Sequence, residues 1–117
     1  MFDLLRDFGR QGRQFDVVVL DPPAFCKNKS ALQKAFAGYR EVNSSALRLL
    51  QSGGMLVTCS CSHYMTPDLF WEMLCLAAQD VGVRLRLVEQ RMQSRDHPVT
   101  LGNPQSLYLK CFFLEVL

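Results

Sequence analysis

Residues 15–20, Phe15-Asp16-Val17-Val18-Val19-Leu20, form an apolar run that stops at Asp21-Pro22-Pro23. Five of the six positions are apolar, which predicts a strand buried on both faces, as in a parallel sheet. Three consecutive valines also favour the pleated backbone. A proline has no N–H to give to a ladder, so the strand ends at Asp21. The Asp21 carboxylate is thereby placed at the carboxyl edge of the sheet, where open α/β sheets bind their ligands.

The rest of the chain alternates in the same sense. Residues 3–9 carry Leu4, Leu5 and Phe8 on one helical face, and Gly9 and Gly12 return the chain to a loop. After the first strand and the polar segment 26–30 comes a long helical stripe. Leu32, Ala35, Phe36, Tyr39, Val42, Ala46, Leu49 and Leu50 recur every three or four residues. Ser52-Gly53-Gly54 is expected to end this helix, and Met55 to Ser60 to form the second strand. Thr66-Pro67-Asp68 opens another helix, with Thr66 as cap, Pro67 in the first turn and Asp68 favoured by the dipole. Leu69, Phe70, Met73, Leu74, Ala77 and Val81 form its stripe, and Gly82 closes it. Arg84 to Glu89 alternates as a strand with one wet face. A loop over about 91–106 leads to a last strand, Leu107 to Val116. The order β-α-β-α-β-loop-β implies an α/β fold with a parallel sheet, right-handed crossovers and an antiparallel pair at the carboxyl end. No repeat or interdomain linker interrupts it, so residues 1–117 read as one unit.

A net charge of +2 and a pI near 8.3 permit a nucleic-acid partner without demanding one. No stretch approaches the ~20 apolar residues of a membrane span. Asp3 and Asp7 stand where a signal peptide is basic. The five cysteines are odd in number and contain no Cys-x-x-Cys pair. That argues against a disulfide framework or a zinc site and for reduced core thiols in a cytoplasmic protein.

The second strand runs out through Thr58-Cys59-Ser60-Cys61-Ser62-His63. If it is parallel to the first, Cys61 and Asp21 emerge at the same edge. A helix N-terminus close to a thiol lowers its pKa, and only the thiolate is a good nucleophile, so Cys61 at the strand exit is either a nucleophile or an inert exposed thiol. Cys59, inside the strand, reads as core filler. His63 lies two residues beyond Cys61, on the same side of an extended segment, and is either its base or a solvated loop residue. His97, in Asp96-His97-Pro98, sits in a loop long enough to be functional. Tyr39 continues the apolar stripe and reads as core. Arg40, Lys27 and Lys29 either bind phosphate or are solvated.

Five stretches carry a resemblance to a known family: 15–25, Gly38-Tyr39-Arg40-Glu41-Val42-Asn43, Gly53 to Ser62, Asp96-His97-Pro98 and Tyr108-Leu109-Lys110. In this order the chain resembles the C-terminal half of a class I S-adenosylmethionine-dependent methyltransferase. It resembles more closely the ribosomal RNA large-subunit methyltransferase I family, which makes 5-methylcytosine. The resemblance implies a partial Rossmann-like sheet, S-adenosylmethionine as cofactor and ribosomal RNA as substrate. It implies that Cys61 is the nucleophile, adding to carbon 6 of cytosine so that carbon 5 can accept a methyl group. Asp21 would face the cytosine edge or the methionine end of the cofactor. Phe2 and Pro22 would contact the cofactor. Pro23 and Phe25 would shape the pocket of an extruded base, and His97 and Arg40 would contact substrate.

The sequence departs from the family in two places. Related RNA cytosine methyltransferases carry a second cysteine directly after the Asp-x-Pro turn. Here that position is Ala24, with Cys26 two residues on, so the base for elimination is unassigned. No Gly-x-Gly-x-x-Gly occurs, so the cofactor loop is absent, and the chain reads as a half-domain inactive alone. Its expected partners are then a complementary N-terminal half, or a second copy paired through the first strand. Two other readings stand beside this one. The segment Asp21-Pro22-Pro23-Ala24-Phe25 also resembles the turn of amino-directed methyltransferases. A non-catalytic remnant would bind RNA or a partner through its open sheet edge.

Overall fold

The computed structural model describes Gly12 and residues 14–21, 29–60, 64–91 and 110–117. The expected helix at 3–9 and the loop at 91–106 lie almost wholly outside these residues. Strand β1 is Phe15–Leu20. A 3-10 turn at Lys29–Ala31 leads into helix α1, Leu32–Leu47. Then follow β2, Leu50–Ser60, and helix α2, Pro67–Val81. Strands β3, Leu85–Arg91, and β4, Lys110–Val116, complete the sheet. Its order is β1-β2-β4-β3. The β1–β2 pair is parallel, and β4 is antiparallel to both β2 and β3. This is the expected α/β arrangement, with the last two strands paired antiparallel.

Both helices cover one face of the sheet. On β2 that face carries Leu56, Thr58 and Ser60, and on β4 it carries Phe112, Leu114 and Val116, all buried. Tyr39 of α1 and Phe70 of α2 meet edge to face, with ring centroids 6.1 Å apart, and Phe70 meets Phe112 in the same manner at 5.2 Å. Such edge-to-face pairs add specific geometry to the burial of three large rings. Helix α2 begins as its sequence predicts. The Thr66 hydroxyl accepts the Leu69 N–H, and Pro67 opens the helix. Gly82 ends it at φ 81°, its N–H donating to the Ala78 carbonyl. That backbone region suits glycine because it carries no Cβ.

Several expectations need correction. Helix α1 ends at Leu47, not at the glycine pair, and Leu49 and Leu50 are buried where the chain turns into β2. The glycines shape the start of β2 instead. Between the pairs Phe15–Leu50 and Val17–Met55 the strands lose register, and Gly53 adopts φ 87°. A Cβ on Gly54 would lie 2.9 Å from the Gln51 carbonyl oxygen and 3.1 Å from that of Asp16. Strand β1 is not buried on both faces, since Val17 and Val19 are 57% and 63% exposed. They lie on the face away from the helices, which the described elements leave uncovered. Strand β3 is wetter than a one-faced strand, because it lies at the sheet edge and Leu87 and Val88 are exposed. Cys59 is not core filler: it sits part-exposed on the uncovered face.

Candidate active site at the carboxyl ends of β1 and β2

The parallel register aligns Leu20 with Thr58. Asp21 directly follows β1 and is exposed. Strand β2 continues to Ser60, immediately before Cys61. Because the pair is parallel, the two strands run out at one edge of the sheet. An exposed carboxylate at that edge accepts hydrogen bonds from the amino or hydroxyl groups of a ligand, and in this respect Asp21 fits a cofactor or base contact. Cys61, Phe2, Pro22, Pro23, Phe25 and His97 lie outside the described residues, as do His63 and Lys27.

Beneath this edge lies a buried polar network that the hydrophobic pattern does not announce. The Thr58 hydroxyl donates to the Asn43 side-chain oxygen at 2.6 Å. The Asn43 side-chain amide donates to the Tyr39 carbonyl at 2.8 Å. The Ser60 hydroxyl donates to the Tyr39 hydroxyl at 3.1 Å. All four residues are 0% or 1% exposed. Buried polar groups are costly unless paired, and here the pairing joins α1 to the last turnless stretch of β2. It fixes the height and rotation of the carboxyl half of β2 against α1. Tyr39 fits its reading as core, but its hydroxyl also serves this network. Asn43, four residues on at helical spacing, is the signal that was available: an amide inside an apolar stripe needs a partner.

Arg40 is held elsewhere. Its guanidinium makes two hydrogen bonds to the Asp80 carboxylate, at 2.6 and 2.7 Å, tying α1 to the last turn of α2. Those hydrogen bonds raise the Arg40 pKa and hold the Asp80 carboxyl below its usual range, against a smaller opposing effect of desolvation. A bidentate pair leaves Arg40 less available for a phosphate than a solvated arginine. Among the described residues no group of three or more His, Cys, Asp or Glu side chains is arranged to hold a metal. No helix among them is long and apolar enough to cross a membrane.

No family model matches the chain. Its sequence is 48% identical over all 117 residues to ribosomal RNA large subunit methyltransferase I of Cronobacter sakazakii, covering 30% of that protein. It is 46% identical over the same 117 residues to the protein of that name from Escherichia coli O1:K1 / APEC, again covering 30%. The chain thus spans about 30% of the length of the curated relatives it matches. Among solved structures, the fold resembles SMU.776, assigned as a methyltransferase and crystallised with SAH. The TM-score is 0.83 at 21% identity, covering 99% of this chain and 30% of the other. Along the whole of this chain the sequence therefore resembles a part of ribosomal RNA large subunit methyltransferase I, and the fold resembles that of the SMU.776 structure.

Proposed function

We propose that residues 1–117 are the carboxyl-terminal portion of the catalytic domain of an S-adenosylmethionine-dependent ribosomal RNA methyltransferase acting on carbon 5 of cytosine. The observation that carries the reading is the parallel β1–β2 pair. Strand β1 ends at Leu20, one residue before Asp21, and β2 ends at the same sheet edge at Ser60, one residue before Cys61, in a chain whose 117 residues all align with the relatives.

Carbon 5 of cytosine is a poor nucleophile. The Cys61 thiolate adds to carbon 6, and electron density moves to carbon 5. S-adenosylmethionine, when bound, supplies the electrophilic methyl group. Loss of the carbon 5 proton then restores the double bond and expels the Cys61 thiolate. Asp21 orients the base or the methionine end of the cofactor from the edge of the sheet, and Phe2 and Pro22 line the cofactor side. Pro23 and Phe25 bound the pocket of the extruded base, and His97 contacts the RNA. The Tyr39–Asn43–Thr58–Ser60 network positions the Cys61 segment without touching substrate. Arg40 reaches RNA only by leaving Asp80. With no Gly-x-Gly-x-x-Gly loop in its sequence, the chain needs complementary elements for activity and is inactive alone. A soluble cytoplasmic protein acting on ribosomal RNA is the setting this implies.

The test replaces the matching segment of the Cronobacter relative with this chain and follows labelled methyl transfer to unmodified ribosomal RNA. Nucleoside analysis should find 5-methylcytosine. An amino-methylated base would favour the amino-directed reading. A folded chimera that transfers nothing would favour a non-catalytic remnant.

A further inference from the structure

Cys59 and Cys111 are directly opposed in the antiparallel β2–β4 ladder. Both lie on the face away from the helices, with Val57 and Phe113 as the next opposed pair. Their sulfurs are 2.8 Å apart, and both residues are only part-buried. We propose that Cys59 and Cys111 form an oxidation site, closing to a cross-strand disulfide when the chain meets a peroxide.

The backbone already meets the requirement. Directly opposed residues of an antiparallel pair have Cα atoms roughly 4.5–5.5 Å apart, inside the window a disulfide needs. The sulfurs must approach by a further ~0.7 Å to reach a bond of about 2.05 Å, which small side-chain rotations supply. The chemistry balances with one equivalent of hydrogen peroxide. One thiolate attacks the peroxide O–O bond, forming a sulfenic acid and releasing hydroxide. The second thiolate attacks that sulfur, the S–S bond forms and the S–O bond breaks, and the second oxygen leaves as hydroxide; the two hydroxides take up the two protons the thiols released and end as water. Both cysteines lose one electron, and peroxide takes up the two. The partial exposure of the pair admits the oxidant, and the ladder holds the resolving thiol in place before the sulfenic acid can oxidise further. The bond would fasten central strand β2 to β4 at the residue before Ser60. This site is independent of the proposed activity, because neither thiol is assigned to it.

The folded chain is treated with equimolar hydrogen peroxide, unfolded, alkylated with a maleimide and mapped by peptide mass. Of the five cysteines, three should alkylate, and one linked peptide pair should join positions 59 and 111 with the loss of two hydrogens. Reduction should restore five adducts. Cys75→Ser should leave the linked pair unchanged, and Cys111→Ser should abolish it while Cys59 becomes available to the maleimide or appears as a sulfur oxide. Unfolding in urea before oxidation should remove the preference for 59–111. Alkylation of both residues in the oxidised folded chain, or linkage of Cys59 to Cys61 or Cys26 instead, overturns the proposal. The wild-type map decides even if the Cys111 variant does not fold.

Discussion

Asn43 accepts the Thr58 hydroxyl hydrogen at 2.6 Å with both side chains sealed from solvent. The bond spans from the carboxyl third of α1 to the carboxyl half of β2, two residues short of the strand's end. Because Asn43 also donates to the Tyr39 carbonyl, removing either side chain leaves a buried polar group without its partner. Thr58→Val and Asn43→Leu should each cost about 1–3 kcal/mol by urea denaturation. The double variant should cost less than the sum, since no orphaned pair is left. Strict additivity would show that the two side chains do not act together.

The Arg40–Asp80 pair sets a pH dependence. Hydrogen bonds from Arg40 lower the Asp80 pKa in the folded chain. The stabilisation is therefore fully present above the ordinary carboxylate range and is lost as the pH falls through the lowered folded value. Asp80→Asn should flatten the acid limb of a stability–pH profile and leave the neutral-to-alkaline limb parallel to wild type. The effect should also shrink in high salt, since the pair is open to solvent. Identical acid limbs would contradict the pairing.

Strand β1 pairs only with β2 among the described strands, and Val17 and Val19 present apolar side chains to solvent. An edge of this kind pairs readily with another chain. Light scattering across a concentration series should show self-association of wild type and its reduction in Val19→Lys. A wild-type chain that stays monomeric throughout would mean the edge is covered.

Gly54→Ala forces a Cβ against the Asp16 and Gln51 carbonyl oxygens, which are backbone and cannot swing away. A loss of about 1–3 kcal/mol is expected. Gly82→Ala meets no atom within 4 Å but is strained by its φ of 81°, at a cost of ~1–2 kcal/mol. Wild-type stability of Gly54→Ala in thermal unfolding would contradict the tight β1–β2 approach.

Much of the fold was legible because local signals agreed with one another. Thr66, Pro67 and Gly82 bound α2 by capping chemistry that acts over a few residues, and the alternation of strand and helix fixed the parallel β1–β2 pair. The end of α1 was not legible, since Leu49 and Leu50 continue the helical stripe, and only the tertiary turn into β2 explains their burial. Val17 and Val19 misled for another reason: a run of valines reports strand propensity, while exposure depends on what covers the second face. Cys59 is part-exposed for the same reason. Its partner Cys111 is remote in sequence, and the opposition appears only once β4 inserts between β2 and β3. At the site, Asp21 followed from the Pro22-Pro23 stop. The partners of Asn43 and Arg40 required the packing of α1 against β2 and α2.

The central claim is that Cys61 attacks the base, and a trap for the covalent step tests it most directly. In RNA carrying 5-fluorocytosine at the target, the addition and methyl transfer can proceed, but no carbon 5 proton is left to remove. The protein then stays bonded to the RNA. In the chimera that carries this chain, with S-adenosylmethionine, a denaturation-resistant protein–RNA adduct should form. It should be lost in Cys61→Ala, persist in Cys59→Ala, and map by mass to the peptide containing Cys61. An adduct of undiminished yield in Cys61→Ala, or one that maps to another cysteine, would contradict the account.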